Sequence, residues 1–359
     1  MTRHIATLDG LRGVAALAVL VLHTNERVMH ALDPVYAHLA VDFFFMLSGY
    51  VIAMAYERRL MAGLPLSRFA GIRLRRLYPM IVLGVILGAV TFCIRHVIKH
   101  DIAIEDIAIA SLFALALLPT NSLSYASEDG LYPINAPHWS LFFELAINVV
   151  YALSARRLTN RVLALALVGT FIGLCASSAG YGQDVGLFPA NFWAGFPRVA
   201  FPFLAGVALY RFAPAMELAR DYSPVLGIFL LGLLLFPYYP KGWFWELSVI
   251  TLVFPPVIYI GAHCNAGTRT AIVLLWLGDL SYPLYASHVP VIRIIHNVVQ
   301  LVHLEQHGLL VGVVAIAASI GVALSALRFW DRPVRQRLDK RGRLALIGQS
   351  QGLSPRGCL

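Results

Sequence analysis

Leu8-Asp9-Gly10-Leu11-Arg12-Gly13-Val14-Ala15-Ala16-Leu17-Ala18-Val19-Leu20-Val21-Leu22-His23 opens the chain with an apolar run in which only Asp9, Arg12 and His23 are ionisable. A helix needs about 20 predominantly apolar residues to cross the hydrocarbon of a bilayer. Residues 9–30 therefore read as a membrane span. The run is too long for a cleavable signal sequence and carries Arg12 and His23, so no leader is expected. Ionisable groups inside a span are costly and by default mark function. Eleven steps of about 100° return His23 to within about 20° of Arg12, about 16 Å further along the axis. Both side chains are expected to face one neighbouring helix and one shared polar cavity.

The remaining chain has the same character. Of 359 residues, 59% are hydrophobic and 13% charged, against about 45–50% and about 25% in soluble domains. That excludes a soluble nucleotide-binding enzyme, a disulfide-stapled secreted domain and a disordered regulator. Further spans are predicted at 39–56, 77–95, 138–155, 162–179, 193–210, 224–240, 246–262, 281–303 and 308–330. The shorter stretch 104–118 contains Glu105 and Asp106 and reads as re-entrant or interfacial. Arginines at 58–76, at 156–161 and in the tail mark cytoplasmic loops. Topology rather than nucleic-acid binding then accounts for the net charge of +9. The expected fold is all-α, a polytopic membrane helix bundle of ten transmembrane helices with both termini cytoplasmic, multi-pass in the cell membrane. Residues 1–330 form one transmembrane domain and 331–359 a mobile basic cytoplasmic tail. Cys93, Cys175, Cys264 and Cys358 lie far apart and give neither a disulfide nor a metal pattern.

Other polar groups interrupt these spans. Asp42 stands near the outer end of the second, at the height of His23, where a carboxylate can orient an imidazole. Ser48 and Gly49 permit close helix approach. On the fourth, Trp139 and Ser140 precede Glu144, Asn148 and Tyr151, which form one stripe; His23 and Arg198 are the expected partners of Glu144. On the ninth, Tyr282, Tyr285 and His288 recur every three residues beside Pro283 and Pro290 and brace a cavity wall. With Tyr50 these residues are the candidate substrate cavity. Arg73 and Arg76 lie before Pro79 at the inner mouth, and arginine suits bidentate phosphate recognition.

Leu8 to Gly13 with His23, Val41 to Tyr50, Arg73 to Pro79, Trp139 to Glu144 and Ser281 to Pro290 occur in an order that resembles the acyltransferase-3 family of integral membrane O-acyltransferases. The departures are Phe142-Phe143-Glu144, where many members carry a second acidic residue, and Ala286-Ser287. The outer hydrolase-like domain of some larger relatives is not expected. The resemblance implies acyl-CoA, often acetyl-CoA, as donor substrate, and a hydroxyl acceptor on a sugar, glycoconjugate or glycosylated metabolite. Neither a bound cofactor nor a metal is expected. Arg12, Arg73 and Arg76 would hold the donor phosphates. His23 would act as general base, with Asp42 or Glu144 orienting it; transient acylation of His23 is the other route. The rival class is a secondary transporter or exporter using Arg12, His23 and Glu144.

Overall fold

A backbone in lipid must satisfy its own hydrogen bonds, and the long apolar runs of this chain do so as helices. The computed structural model describes residues 5–31, 36–127, 129–182, 185–214, 216, 218, 220–236 and 242–340. Among them no strand forms beyond one isolated bridge, Leu218 to Cys264. The helices are α1 (Ala6–Thr24), α2 (Ala40–Met61), α3 (Leu66–Lys99), α4 (Ile104–Leu115), α5 (His138–Ser154), α6 (Asn160–Tyr181), α7 (Gly195–Phe212), α8 (Ser223–Leu235), α9 (Trp243–Ser248), α10 (Phe254–His263), α11 (Thr268–Leu301) and α12 (Gly308–Ala326).

Seven helical segments of the described residues are long and apolar enough to cross a bilayer: Ala6–Met29, Ala37–Met61, Leu66–Lys99, Asn160–Tyr181, Pro189–Phe212, Trp243–His263 and Gly308–Lys340. Three segments expected as spans differ. α5 and α8 have 17 and 13 residues, about 26 and 20 Å of helix. α11 has the length but carries Asp279, two prolines, His288 and Arg293 among its apolar residues. At 12 residues α4 is about 18 Å long and too short to cross. The arginine-rich segment expected as a loop is instead the first three turns of α3. Helix continues to Lys340, so 331–340 of the expected tail are helical, while 341–359 lie outside the described residues.

The interior is organised on two tight crossings. α1 lies along α11, and α2 along α7. In the second crossing a Cβ on Gly49 would overlap the carbonyl of Phe203, and one on Gly206 would overlap that of Met46. Gly206→Ala is therefore expected to cost about 1–3 kcal/mol of stability, read as a lowered unfolding temperature in detergent. Elsewhere, large apolar side chains point outward, as with Leu165, Val168 and Ile172 on α6 and Leu309, Leu310 and Val313 on α12. Lipid is the solvent such faces require.

Candidate active site

α3, α2, α5 and α11 line a half-open cavity, with α1 contributing Arg12. Arg73 and Arg76 are three residues apart, so one face of α3 presents both guanidinium groups. Arg73 Nη2 donates to Glu144 Oε1 at 2.8 Å, and Ser48 Oγ donates to the same oxygen at 3.0 Å. Glu144 thus finds its partner in Arg73, correcting the expectation of His23 or Arg198. Arg12 Nε donates to Ser281 Oγ at 2.8 Å, its Nη2 to the Gly278 carbonyl at 2.9 Å, and Asp9 lies 3.3 Å away. Tyr282 donates to the Leu77 carbonyl at 2.6 Å, and Ser140 and Tyr285 share a 2.7 Å bond. Three guanidinium groups and one carboxylate line the space. Arg73 Nε is buried with no hydrogen-bond partner among the described residues. An unmade bond from a buried charged donor is expensive, so an anion entering this cavity is favoured by both charge and hydrogen bonding.

His23 does not line that cavity, which corrects the expected shared tunnel. Its ring stacks on His288 with centroids 5.2 Å apart and an interplanar angle of 25°. His288 in turn lies 5.9 Å from the Tyr285 ring, and Tyr285 closes the cavity against Phe44. Arg12 and His23 do face one helix as expected, since Arg12 bonds Ser281 and Gly278 and the His23 ring stacks on His288, all three on α11. The three rings of Tyr285, His288 and His23 form a continuous ladder from the cavity towards the far end of α1. His23 Nδ1 lies 3.1 Å from Glu26 Oε2, and the neutral tautomer that donates this bond carries its lone pair on Nε2. His288 Nδ1 donates to the carbonyls of Leu284 and Tyr285 at 3.0 and 2.9 Å, and its buried Nε2 has no partner among the described residues.

Asp42 is corrected as well. Both its oxygens accept from Arg198, at 3.2 and 3.1 Å, with side chains 0% and 1% exposed. Arg198 also donates to the Val185 carbonyl and lies 5.1 Å over the Trp139 ring. Asp42 therefore forms a buried ion pair with Arg198, against which the Trp139 ring packs, and its carboxylate is not the one that meets His23. Tyr50 packs edge-on against Tyr210, and Asn148 is buried with neither polar atom bonded among the described residues; neither lines the cavity. Of the expected cavity residues, Ser48, Ser140, Tyr282 and Tyr285 do line it. Among the described residues no group of three or more His, Cys, Asp and Glu is placed to hold a metal ion.

Sequence reasoning missed Glu26, although its i, i+3 spacing from His23 was available. It also missed a network at the same end of the molecule. There Asp129, from the segment between α4 and α5, accepts from both Arg27 and Arg293. Arg293 also donates to the Pro133 carbonyl at 3.0 Å. Burial opposes ionisation of Asp129, but Arg293 and Arg27, with His23 further off, outweigh it and hold the carboxyl below the usual range. A carboxylate with a depressed pKa stabilises the fold above its unfolded value, about 3.9, and loses that contribution as pH falls through the folded one. The stability gap between the native chain and Asp129→Asn should hold from pH 8 to 5 and close only below about pH 4, as read by denaturation at each pH.

A family profile described as an acyltransferase domain matches residues 5–328. Among curated proteins, protein 2 in the picA locus of Rhizobium radiobacter is 35% identical over 182 residues, covering 48% of this chain and 93% of its own length. The peptidoglycan O-acetyltransferase OatA of Listeria monocytogenes is 25% identical over 93% of this chain and 56% of its own length. A putative O-acetyltransferase of Staphylococcus aureus is 26% identical over 82% and 52%. This chain thus spans about half the length of those two O-acetyltransferases. No solved structure matches it. The family match leaves the exporter alternative without support. A match over almost the whole described helix bundle, which includes the helices that bring Arg12, Arg73 and Glu144 to one cavity, places this chain in the acyltransferase-3 family.

Proposed function

We propose that the protein is a membrane O-acyltransferase that moves an acyl group, acetyl in the simplest case, from acyl-CoA to a hydroxyl of a carbohydrate or glycosylated metabolite. In this reading α5, α8 and α11 complete ten crossings with both termini cytoplasmic, in the cell membrane. The donor phosphates bind Arg12, Arg73 and Arg76 from the cytoplasmic side. Arg76 and the unbonded Nε of Arg73 supply donors that the described residues leave without a carboxylate. The thioester arm passes Tyr285 and Phe44, which must part, towards the paired imidazoles. His23 Nε2 takes the acceptor proton as the hydroxyl oxygen attacks the thioester carbonyl. The tetrahedral centre then collapses, expels the coenzyme A thiolate and leaves the ester on the acceptor. Glu26, not Asp42 or Glu144, orients the imidazole and stabilises its charged form.

The observation that carries the reading is the position of His23. It is oriented by a carboxylate, stacked on His288, and connected through Tyr285 to a cavity whose charge suits an anionic donor. The experiment is thiol release from radiolabelled acetyl-CoA by purified protein in lipid nanodiscs, with and without a membrane glycan fraction. Thiol release with label appearing in the glycan is the expected result, and Arg76→Ala should raise the KM for acetyl-CoA. Substrate flux in sealed vesicles with the thioester intact would overturn the reading.

A further inference from the structure

We propose that a second cleft, at the His23 end of the α1–α11 seam, binds the phosphate group of an amphiphilic acceptor. The acceptor role rests on the transfer reading above; the phosphate role does not. This cleft contains about 1720 Å³ of open space. Among the described residues, Arg27, Arg95, Lys99 and Arg293 line it together with the carboxylate of Asp129. Even with Asp101, which pairs with Arg95 at 2.6 Å, cations outnumber carboxylates four to two among the described residues.

Membrane topology does not explain that charge. The cleft lies at the opposite end of α1 and α11 from Arg73 and Arg76, so an excess of cations on one membrane face does not account for both clusters. Guanidinium groups suit phosphate oxygens, which they meet in pairs. The other wall is apolar: Ile94 and Ile98 of α3 face Val298 and Leu301 of α11, all 44–65% exposed. One basic wall and one exposed apolar wall fit a charged headgroup joined to a hydrocarbon chain. Asn297 and Gln300 add neutral hydrogen-bonding groups at the rim. Arg27 is four residues beyond His23, about 6 Å along the axis. A phosphate held there leaves the attached hydroxyls within reach of His23 Nε2.

The test is direct binding by the full chain in phosphatidylcholine nanodiscs without any acyl-CoA. Its outcome is therefore independent of whether acyl transfer occurs. Farnesyl diphosphate should bind, farnesol should not, and inorganic pyrophosphate should compete more weakly. Lys99→Glu and, separately, Arg95→Gln should each raise the Kd for farnesyl diphosphate about tenfold with the unfolding temperature retained. Equal binding of farnesol and farnesyl diphosphate, or unchanged binding by both variants, would overturn the proposal. Pyrophosphate binding as tightly as farnesyl diphosphate would overturn its hydrocarbon seat. Competition by phosphatidylglycerol at matched strength would assign the cleft to bulk lipid headgroups and overturn the acceptor role.

Discussion

Replacing His23 with alanine is expected to lower acyl transfer by about 10²–10⁴-fold, the span covered by a positioned general base. The fold should survive, because the His23 side chain is 27% exposed and its hydrogen bond reaches only Glu26, one turn away on the same chain segment. An unchanged unfolding temperature with lost transfer separates chemistry from stability. Glu26→Gln keeps a hydrogen-bond acceptor but removes the charge that stabilises an imidazolium, so its loss should be smaller and fall on kcat rather than on KM for the donor. Normal transfer by His23→Ala would remove the imidazole from the reaction and direct attention to His288, whose buried Nε2 has no partner among the described residues.

The largest effect on stability is expected at Asp42 and Arg198. Their side chains are almost wholly buried and bonded through both carboxylate oxygens. Removing one partner leaves an uncompensated charge inside the bundle, and Asp42→Ala or Arg198→Ala should each cost about 3–5 kcal/mol. Combining Asp42→Leu with Arg198→Met removes both charges and should recover most of what either of these two substitutions costs alone, as a double-mutant cycle in detergent would measure. Single variants that unfold like the native chain would show the pair to be energetically neutral. The contrast with His23 is informative: the carboxylate that meets its ring is Glu26, while Asp42, expected there from the sequence, joins α2 to α7 through Arg198.

The residues legible in the sequence share one property: periodicity along a single helix. The return of His23 to the direction of Arg12 needs only the helical repeat, and both residues meet α11 as that repeat requires. Gly49 is readable as a close-approach site because a missing side chain has few other uses in a span. Pairings between helices are not legible. Nothing in the local pattern around Asp42 or Glu144 distinguishes Arg198 from Arg73 as a partner, since the choice depends on how α7 and α3 cross α2 and α5. The network of Asp129 escapes a sequence reading because residues 116–137 follow no repeat. The start of α11 reads late, at 281, because Asp279 interrupts the apolar run although its carboxylate meets Arg332 at the surface. The arginines before Pro79 read as a loop by their charge, yet they continue α3 by three turns.

α3 and α11 each contain 34 residues, about 51 Å of helix, and they touch one another. Hydrocarbon is only about 30 Å thick, so both rods exceed it by several turns and must lean or project. Lean is set in part by how thick the surrounding lipid is. Since these two rods supply walls to both openings, longer or shorter fatty chains in the host bilayer should alter the gape of each. Lipid chain length is then expected to act on turnover with no effector bound, by mismatch alone.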